Sequence, residues 1–268
     1  MAGRSPRNRA TSNSVARSTE QLLRVTIAAA ADLLLPLCCA VCERLMRPSG
    51  MDVICGPCWS RVRGLAPPCC DRCGHPVGSH TCRWCALLPP YVRAARSFCW
   101  VGVGTGGAVV HALKYDGWKR AGRAMAERMA RVPWPHDVEE ERAATLPVPL
   151  SASRQRERGF NQSEILAREV AEVWGIPSWT GTLERARSTR SQTELTPGER
   201  RANVAGAFCV RQTEFNRLSG AHVVLVDDVA TTCATLNACA SALFHAGART
   251  ISYLTFGRAP ASGDRLFS

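Results

Sequence analysis

Apolar and polar positions follow two different periodicities along residues 92–258, and together they predict strands that alternate with helices. Short, nearly continuous apolar runs predict buried strands at residues 94–101, 145–150, 222–226 and 250–256. Apolar residues that recur every three or four positions predict helices at residues 106–115, 120–131, 163–174 and 235–245. Strands that alternate with helices form mostly parallel sheets covered on both faces, so the sequence predicts an α/β fold.

The helix at residues 163–174 has the clearest pattern, because Leu166 and Val170 lie on one apolar face and Gly175 follows as a stop signal. The segments between the periodic stretches are polar. They predict an acidic connection at residues 132–144, an arginine-rich loop at residues 151–162 and a mobile loop at residues 184–206.

Residues 36–90 have a different character, with many cysteines and with proline and glycine turns, and are predicted to have little core of their own. Eight of the cysteines form four Cys-x-x-Cys pairs, a spacing that lets two thiolates reach one zinc ion at about 2.3 Å. The sequence therefore predicts two structural zinc sites, in which the pairs are used either sequentially or in a crossed arrangement. The predicted ligands are Cys39, Cys42, Cys55, Cys58, Cys70, Cys73, Cys82 and Cys85.

Other cysteines and histidines lie near these pairs or in the α/β part. Cys38 and Cys69 each adjoin a predicted ligand and could shift the ligand register. Two histidines, His75 and His80, are interpreted as bystanders, since eight correctly spaced cysteines already complete two sites. Three further cysteines are interpreted as small core residues: Cys99, Cys209 and Cys239.

The composition divides the chain into four parts. Residues 1–18 are basic and serine-rich and are predicted to be a disordered tail; residues 19–90 comprise a helix at 20–35 and the cysteine module. Residues 91–260 form the α/β domain and residues 261–268 a second tail. No run reaches the roughly 20 apolar residues that a membrane span needs, which excludes a membrane-spanning transporter or channel.

The chain is strongly basic, with a formal net charge of +12 and a pI near 9.4. Residues 1–100 alone carry 13 basic and 5 acidic residues, so the N-terminal third is the better candidate for a nucleic-acid surface. Fourteen cysteines, most of them in paired knuckles, indicate metal thiolates rather than disulfides. We therefore expect a cytoplasmic protein.

Two adjacent acids, Asp227 and Asp228, follow the apolar run at 222–226. The carboxyl end of a central parallel strand is where open α/β sheets bind ligands. A turn with Thr231, Thr232 and Thr235 comes next and leads into a helix, whose first amides favour an anion. The pattern predicts a phosphate or sugar-phosphate site. Lys114 is a candidate for its lining, or else packs at a helix end.

These segments resemble known sequences. Residues 224–235 resemble the fingerprint of type I phosphoribosyltransferases. The paired cysteines, the run Arg158-Gly159-Phe160-Asn161-Gln162, and Gln192 followed by Arg201 and Asn203 resemble the ComF family of competence proteins. The resemblance extends over residues 33–258. It implies a phosphoribosyltransferase-like sheet preceded by a double zinc ribbon.

The resemblance also implies roles for individual residues. Asp227 and Asp228 would contact the ribose hydroxyls of phosphoribosyl diphosphate, and residues 187–203 would close over the site. Magnesium would be held mainly by substrate oxygens and water. The turn implied to bind the 5′-phosphate comprises Ala230, Thr231, Thr232, Cys233, Ala234 and Thr235. The loop implied to meet the diphosphate carries Arg154, Arg156, Arg158 and Gly159.

Two function classes remain open at this point. The first is a phosphoribosyltransferase with an unknown acceptor, linked to DNA uptake or nucleotide metabolism. The second is a non-catalytic protein that handles single-stranded DNA, with competence-machinery proteins as further partners. Most family members carry glycine where this chain has Cys233. The site could therefore bind with the cysteine turned away, bind weakly, or be vestigial.

Overall fold

The computed structural model describes residues 37–46, 52–76, 82–115, 119–185 and 206–260. The predicted tails at 1–18 and 261–268, the helix at 20–35, His80 and the loop at 187–203 lie outside these residues. Within them, none of the helices has the length and apolar character needed to cross a membrane.

The described chain is organised around one mixed sheet and one small hairpin. In chain order the strands are β1 (Val62–Gly64), β2 (Val92–Gly104), β3 (Arg142–Pro147), β4 (Leu183–Arg185), β5 (Phe208–Val210), β6 (His222–Ala230) and β7 (Thr250–Arg258). Five strands pair in the order β1-β2-β7-β6-β3, with β1 antiparallel and the others parallel, and β4 pairs with β5. The predicted α/β architecture is confirmed.

Helices cover both faces of the five-stranded sheet. They are α1 (Gly56–Ser60), α2 (Gly106–Tyr115), α3 (Lys119–Ala130), α4 (His136–Glu141), α5 (Ala152–Arg158), α6 (Gln162–Trp174), α7 (Phe215–Leu218) and α8 (Ala234–His245). Two short 3-10 turns at Arg83–Leu87 and Gln212–Glu214 complete the described elements.

Strand β6 explains why the apolar run is continuous. Val223 and Leu225 pack into a core layer with α8, whereas Val224 and Val226 pack on the opposite face with α3 and α6. A central parallel strand is buried on both faces, so alternation disappears. Each fully buried aliphatic side chain contributes about 1.5–3 kcal/mol. This double burial anchors the strand that carries the acid pair.

Three segments differ from the sequence predictions. The supposed loop at 151–162 contains α5, which Ser151 caps by accepting a hydrogen bond from the Arg154 amide at 3.4 Å and Gly159 ends at φ 72°. Its polar composition hides a helix that has a serine N-cap and a glycine C-cap. The connection at 132–144 contains α4 and the start of β3. Strand β6 continues beyond residue 226 to Ala230.

The cysteine module packs against the sheet through both core layers. Cys39 and Cys58 belong to the layer that contains Phe256, and Cys73 belongs to the layer that contains Tyr253. The ring of Trp59 meets Phe256 edge-on, with 6.2 Å between centroids. The module therefore shares the apolar core of the α/β domain.

Candidate functional site

The eight paired cysteines form two separate groups of four. Within each group all Sγ atoms lie within 4.8 Å of one another, and the members come from sequential pairs. The shortest separations are 3.2 Å for Cys73–Cys82 and 3.3 Å for Cys70–Cys85. Four thiolates converging in this way fit tetrahedral zinc. The two predicted structural zinc sites therefore fit the geometry, with the pairs used sequentially.

The neighbouring residues are not part of these groups. Cys38 and Cys69 stay outside both, so the predicted ligand register is the one adopted. The His75 ring packs 5.1 Å from the Trp84 ring and is not a member of either group. With four thiolates each, the sites have no open position for a substrate, which argues for a structural role.

Two of the three predicted core cysteines are confirmed. Cys99 and Cys239 are fully buried, but Cys209 is exposed, so that prediction was wrong. Side chains alternate along a strand, and on β5 the buried position belongs to the preceding Phe208. A two-stranded hairpin buries only one of its faces.

A cavity of about 390 Å³ opens at the carboxyl end of β6. It is bounded by the acid pair, the segment after β3, helix α5 and the start of α8. The sequence-predicted residues that line it are Lys114, Asp227, Asp228, Ala230, Thr231, Cys233, Ala234, Thr235, Arg154 and Arg158. Residues far apart in the chain thus meet at one sheet edge, as parallel topology requires.

Three sequence-predicted residues, Thr232, Arg156 and Gly159, do not line this cavity. On α5, Arg154 and Arg158 are four residues apart and share a face, whereas Arg156 is offset by two positions and is exposed. Because this segment is a helix, only two of its three arginines line the cavity.

The two acids have different surroundings. Asp228 is only 5% exposed and forms an ion pair with the ammonium group of Lys114 at the end of α2. Asp227 Oδ1 accepts hydrogen bonds from Ser163 Oγ at 2.7 Å and from the Asp228 amide at 2.9 Å. Burial, together with the neighbouring Asp228 charge, raises the pKa of Asp227 to about 7. One carboxylate is neutralised by lysine, while the other holds its proton near neutral pH.

The turn between β6 and α8, residues 230–234, was predicted from the sequence to bind phosphate and is called the phosphate turn below for that reason. Cys233 adopts the left-handed conformation at φ 57° and ψ 12° and directly precedes α8. The first amides of a helix have no intrahelical acceptors and carry partial positive charge. Because these amides lie beside Thr231 and Thr235 in the cavity lining, the turn can accept an anion.

Several residues that line the cavity were not predicted as site residues from the sequence. Ser163 and Gln162 begin α6, and Arg185 ends β4. The guanidinium of Arg158 donates to Gln162 Oε1 at 3.1 Å and to the Tyr115 hydroxyl at 3.0 Å. Burial lowers the pKa of Arg185, and the charge of Arg154, which lines the same cavity, acts in the same direction. The cavity holds more cations than the motifs indicated.

Comparisons with known proteins agree with this architecture. The family model described as a double zinc ribbon domain matches residues 30–87. The chain is 31% identical over 229 residues to DNA utilization protein YhgH of Salmonella typhi, covering 82% of this chain and 96% of that protein.

The chain belongs to the ComF family.

Two further ComF-family relatives are Competence protein F of Haemophilus influenzae and Competence protein ComFC of Bacillus subtilis. The first is 34% identical over 43% of this chain and 50% of its own length. The second is 25% identical over 80% of this chain and 87% of its own length. The match to ComFC includes residues of both the zinc module and the α/β domain, since it spans four fifths of the chain.

The left-handed Cys233 leads to a stability prediction. A Cβ in this conformation costs about 1–2 kcal/mol, a cost that glycine avoids. We expect Cys233→Gly to be more stable than Cys233→Ala by about 1 kcal/mol, because alanine keeps the Cβ and removes only the sulfur. Urea denaturation of both variants measures the difference. An alanine variant as stable as the glycine variant would show that the turn relaxes without strain.

Proposed function

We propose that this ComF-family protein binds phosphoribosyl diphosphate in the cavity at the end of β6 and acts in DNA utilization. The observation that carries the proposal is the meeting of an acid pair, a helix N-terminus and several cations around one cavity of about 390 Å³. Acids suit vicinal hydroxyls, and amides and guanidinium groups suit phosphate oxygens. A sugar that carries phosphate at two positions requires both chemistries.

Each part of the cavity has a role in this proposal. Asp227 and Asp228 accept hydrogen bonds from the ribose hydroxyls, and the phosphate turn binds the 5′-phosphate. Arg154, Arg158 and Arg185 face the diphosphate, for which guanidinium groups offer paired donors. Mg²⁺, when bound with the substrate, would supply further neutralisation of the diphosphate charge.

The chemistry consistent with this arrangement is displacement of diphosphate at the anomeric carbon. The C1–O bond to diphosphate breaks, a bond to the acceptor nucleophile forms, and positive charge develops on the ribose in between. The negative charge of the acid pair stabilises that cation, and the arginines stabilise the departing diphosphate. Lys114 forms an ion pair with Asp228 and so holds that carboxylate in place at the cavity.

The link to DNA is supported by the family. One relative is named a DNA utilization protein and two others competence proteins. A specific feature of this chain also favours contact with a nucleic-acid backbone: Arg61 and Arg63 are exposed on or beside β1, the outermost strand on that side of the sheet. We propose single-stranded DNA as a second ligand, bound through the zinc module.

Calorimetric titration of the full chain with phosphoribosyl diphosphate and Mg²⁺ tests the proposed site. We expect wild type to bind, and Asp227→Asn/Asp228→Asn to lose measurable binding, since two charge-assisted contacts of about 1.5–3 kcal/mol each are removed. Asp137→Asn serves as the control, because Asp137 pairs with Arg93 away from the cavity and its loss is expected to leave affinity unchanged.

Equal binding by wild type and the double variant, or no binding by either, would contradict the proposed site. A parallel titration with a single-stranded oligonucleotide tests the second proposed ligand independently of the first. Affinity that falls steeply with salt and drops in Arg61→Gln/Arg63→Gln, but not in the acid-pair variant, would place DNA on the zinc module.

A further inference from the structure

Arg258 connects the second zinc group to the back of the phosphate turn. It is the last residue of β7, is 4% exposed, and lies opposite Ala230, the first residue of that turn. Its Nη2 donates to the Cys73 carbonyl oxygen at 2.7 Å. A guanidinium is rarely buried this deeply unless it is paired, because burying its charge costs free energy. The burial of Arg258 therefore suggests that its contacts have a role.

The end of β7, where Arg258 lies, pairs with the start of the turn. The Ala259 amide donates to the Ala230 carbonyl at 2.8 Å, which ties the end of β7 to the start of the turn. The Arg258 charge also acts on the Cys233 thiol, partly opposing the rise in its pKa caused by burial. Nη1 of Arg258 is buried and has no hydrogen-bond partner among the described residues. Arg258 therefore bonds to a zinc-ligand residue through its side chain and pairs with the start of the turn through its backbone.

A second contact reaches the other flank of the turn. On α8, Asn237 Nδ2 donates to the Leu87 carbonyl at 2.7 Å, and Leu87 ends the 3-10 turn that contains Cys85. The hydroxyl of Tyr253 donates to Asn237 Oδ1 at 3.0 Å and fixes the amide orientation. Strand β7, which pairs with β6 at the start of the turn, and helix α8, which follows the turn, are thus each bonded to stretches of chain that carry ligands of the second zinc group.

The first zinc group makes a different connection. The Cys58 carbonyl accepts from Thr105 Oγ1 at 2.8 Å, and Thr105 lies between β2 and α2 rather than at the phosphate turn. The two zinc groups therefore offer an internal comparison within one chain.

We propose that the second zinc site positions the phosphate turn through Arg258, so that zinc retention and anion binding are coupled. When zinc is bound, the Cys73 knuckle is fixed and its carbonyl holds the guanidinium behind the turn. When zinc is lost, the acceptor moves, and the left-handed Cys233 loses its support. The anion arm of this proposal rests on the proposed function, whereas the contact between zinc site and turn does not.

Coupling of this kind is reciprocal. If zinc at the second site favours anion binding, a bound anion must raise the zinc affinity of that site by the same factor. Arg258 acts through other groups and contacts no reacting atom, so it is a positioning residue. Its role is therefore measured through zinc retention and turn protection as well as through affinity.

The test uses the full zinc-loaded chain and follows zinc transfer to a chromogenic chelator with and without phosphoribosyl diphosphate and Mg²⁺. We expect two kinetic phases in wild type, with the ligand slowing one of them about tenfold, equivalent to about 1.4 kcal/mol in the barrier to zinc loss. Arg258→Met is expected to accelerate that phase and abolish its ligand dependence, and Arg258→Lys to restore part of both. Thr105→Val is the matched control and is expected to change only the other phase.

Hydrogen exchange of ligand-free protein provides a readout that needs no anion. We expect Arg258→Met to raise amide exchange at residues 230–236, and Asn237→Ala, which leaves Arg258 intact, to do so more weakly. Unchanged exchange and zinc kinetics in a folded Arg258→Met variant would overturn the proposal. If wild type binds no phosphoribosyl diphosphate, the proposed function fails, and exchange and zinc-loss rates still decide whether Arg258 connects zinc site and turn.

Discussion

Replacing Cys70 by serine is expected to remove one of the two zinc ions and to destabilise the chain severely, whereas the same change at Cys69 is expected to do neither. Cys70 belongs to the second group of four sulfur atoms, and the adjacent Cys69 is exposed and belongs to none. Structural zinc contributes about 10–16 kcal/mol of binding free energy in small domains, so loss of one ligand is expected to cost at least about 3 kcal/mol.

The reason for so large an effect is the position of the module. Cys73 of the same group is fully buried in a core layer that includes Leu225 and Tyr253 of the central strands. Without zinc, the remaining polar groups of this site would be buried with no partner. That burial adds to the free energy lost with the metal bonds.

Metal content by atomic emission and thermal unfolding of the two neighbouring variants measure this contrast. We expect about two zinc ions per chain in wild type and Cys69→Ser, and about one in Cys70→Ser together with a lower midpoint. A Cys70→Ser protein that keeps both ions, or a Cys69→Ser protein that loses one, would show that the ligand register is shifted by one residue.

The sequence was informative wherever the signal is local. Cys-x-x-Cys spacing predicted both zinc groups because the two thiolates of a pair are held by one tight turn. The acid pair after an apolar run predicted a site at the end of β6, since topology places every parallel strand end at one edge. Composition misled at 151–162, where a polar helix with its own caps was interpreted as a loop.

The contacts that complete the site depend on residues far apart in the chain. The ion pair between Lys114 and Asp228 and the hydrogen bond from Arg258 to the Cys73 carbonyl join separate elements, the latter across 185 positions. No periodicity or motif encodes such pairs, because they follow from how strands and helices pack rather than from neighbouring residues. Arg185 likewise reaches the cavity from the hairpin of β4 and β5, outside every motif.

Asp227→Asn is expected to stabilise the fold near pH 8 while weakening phosphoribosyl diphosphate binding by about 10–100-fold, the loss typical of a charged hydrogen bond. Burial and the Asp228 charge raise the pKa of Asp227 from 3.8 to about 7 in the folded chain. The unfolded chain therefore releases this proton at lower pH than the folded chain. Stability falls as pH rises from about 4 to about 7, and the full cost is present above pH 7.

An asparagine cannot ionise, so the variant escapes this cost. A tenfold change in a protonation equilibrium is worth about 1.4 kcal/mol, and relaxation of the site reduces the total, so we expect a gain of about 2 kcal/mol near pH 8 and almost none near pH 4. Urea denaturation of wild type and variant at both pH values measures the difference, because titrating groups away from the acid pair contribute equally to both proteins.

Asp137 provides a control of opposite sign. The Arg93 guanidinium holds the pKa of Asp137 below its ordinary value, so Asp137→Asn is expected to lose stability near pH 8. If Asp227→Asn instead destabilises the fold at neutral pH, the carboxylate has a structural role, and the acid pair is not maintained for a ligand. A gain in stability with a loss of binding is the pattern of a site whose charges are held close together at the expense of the fold.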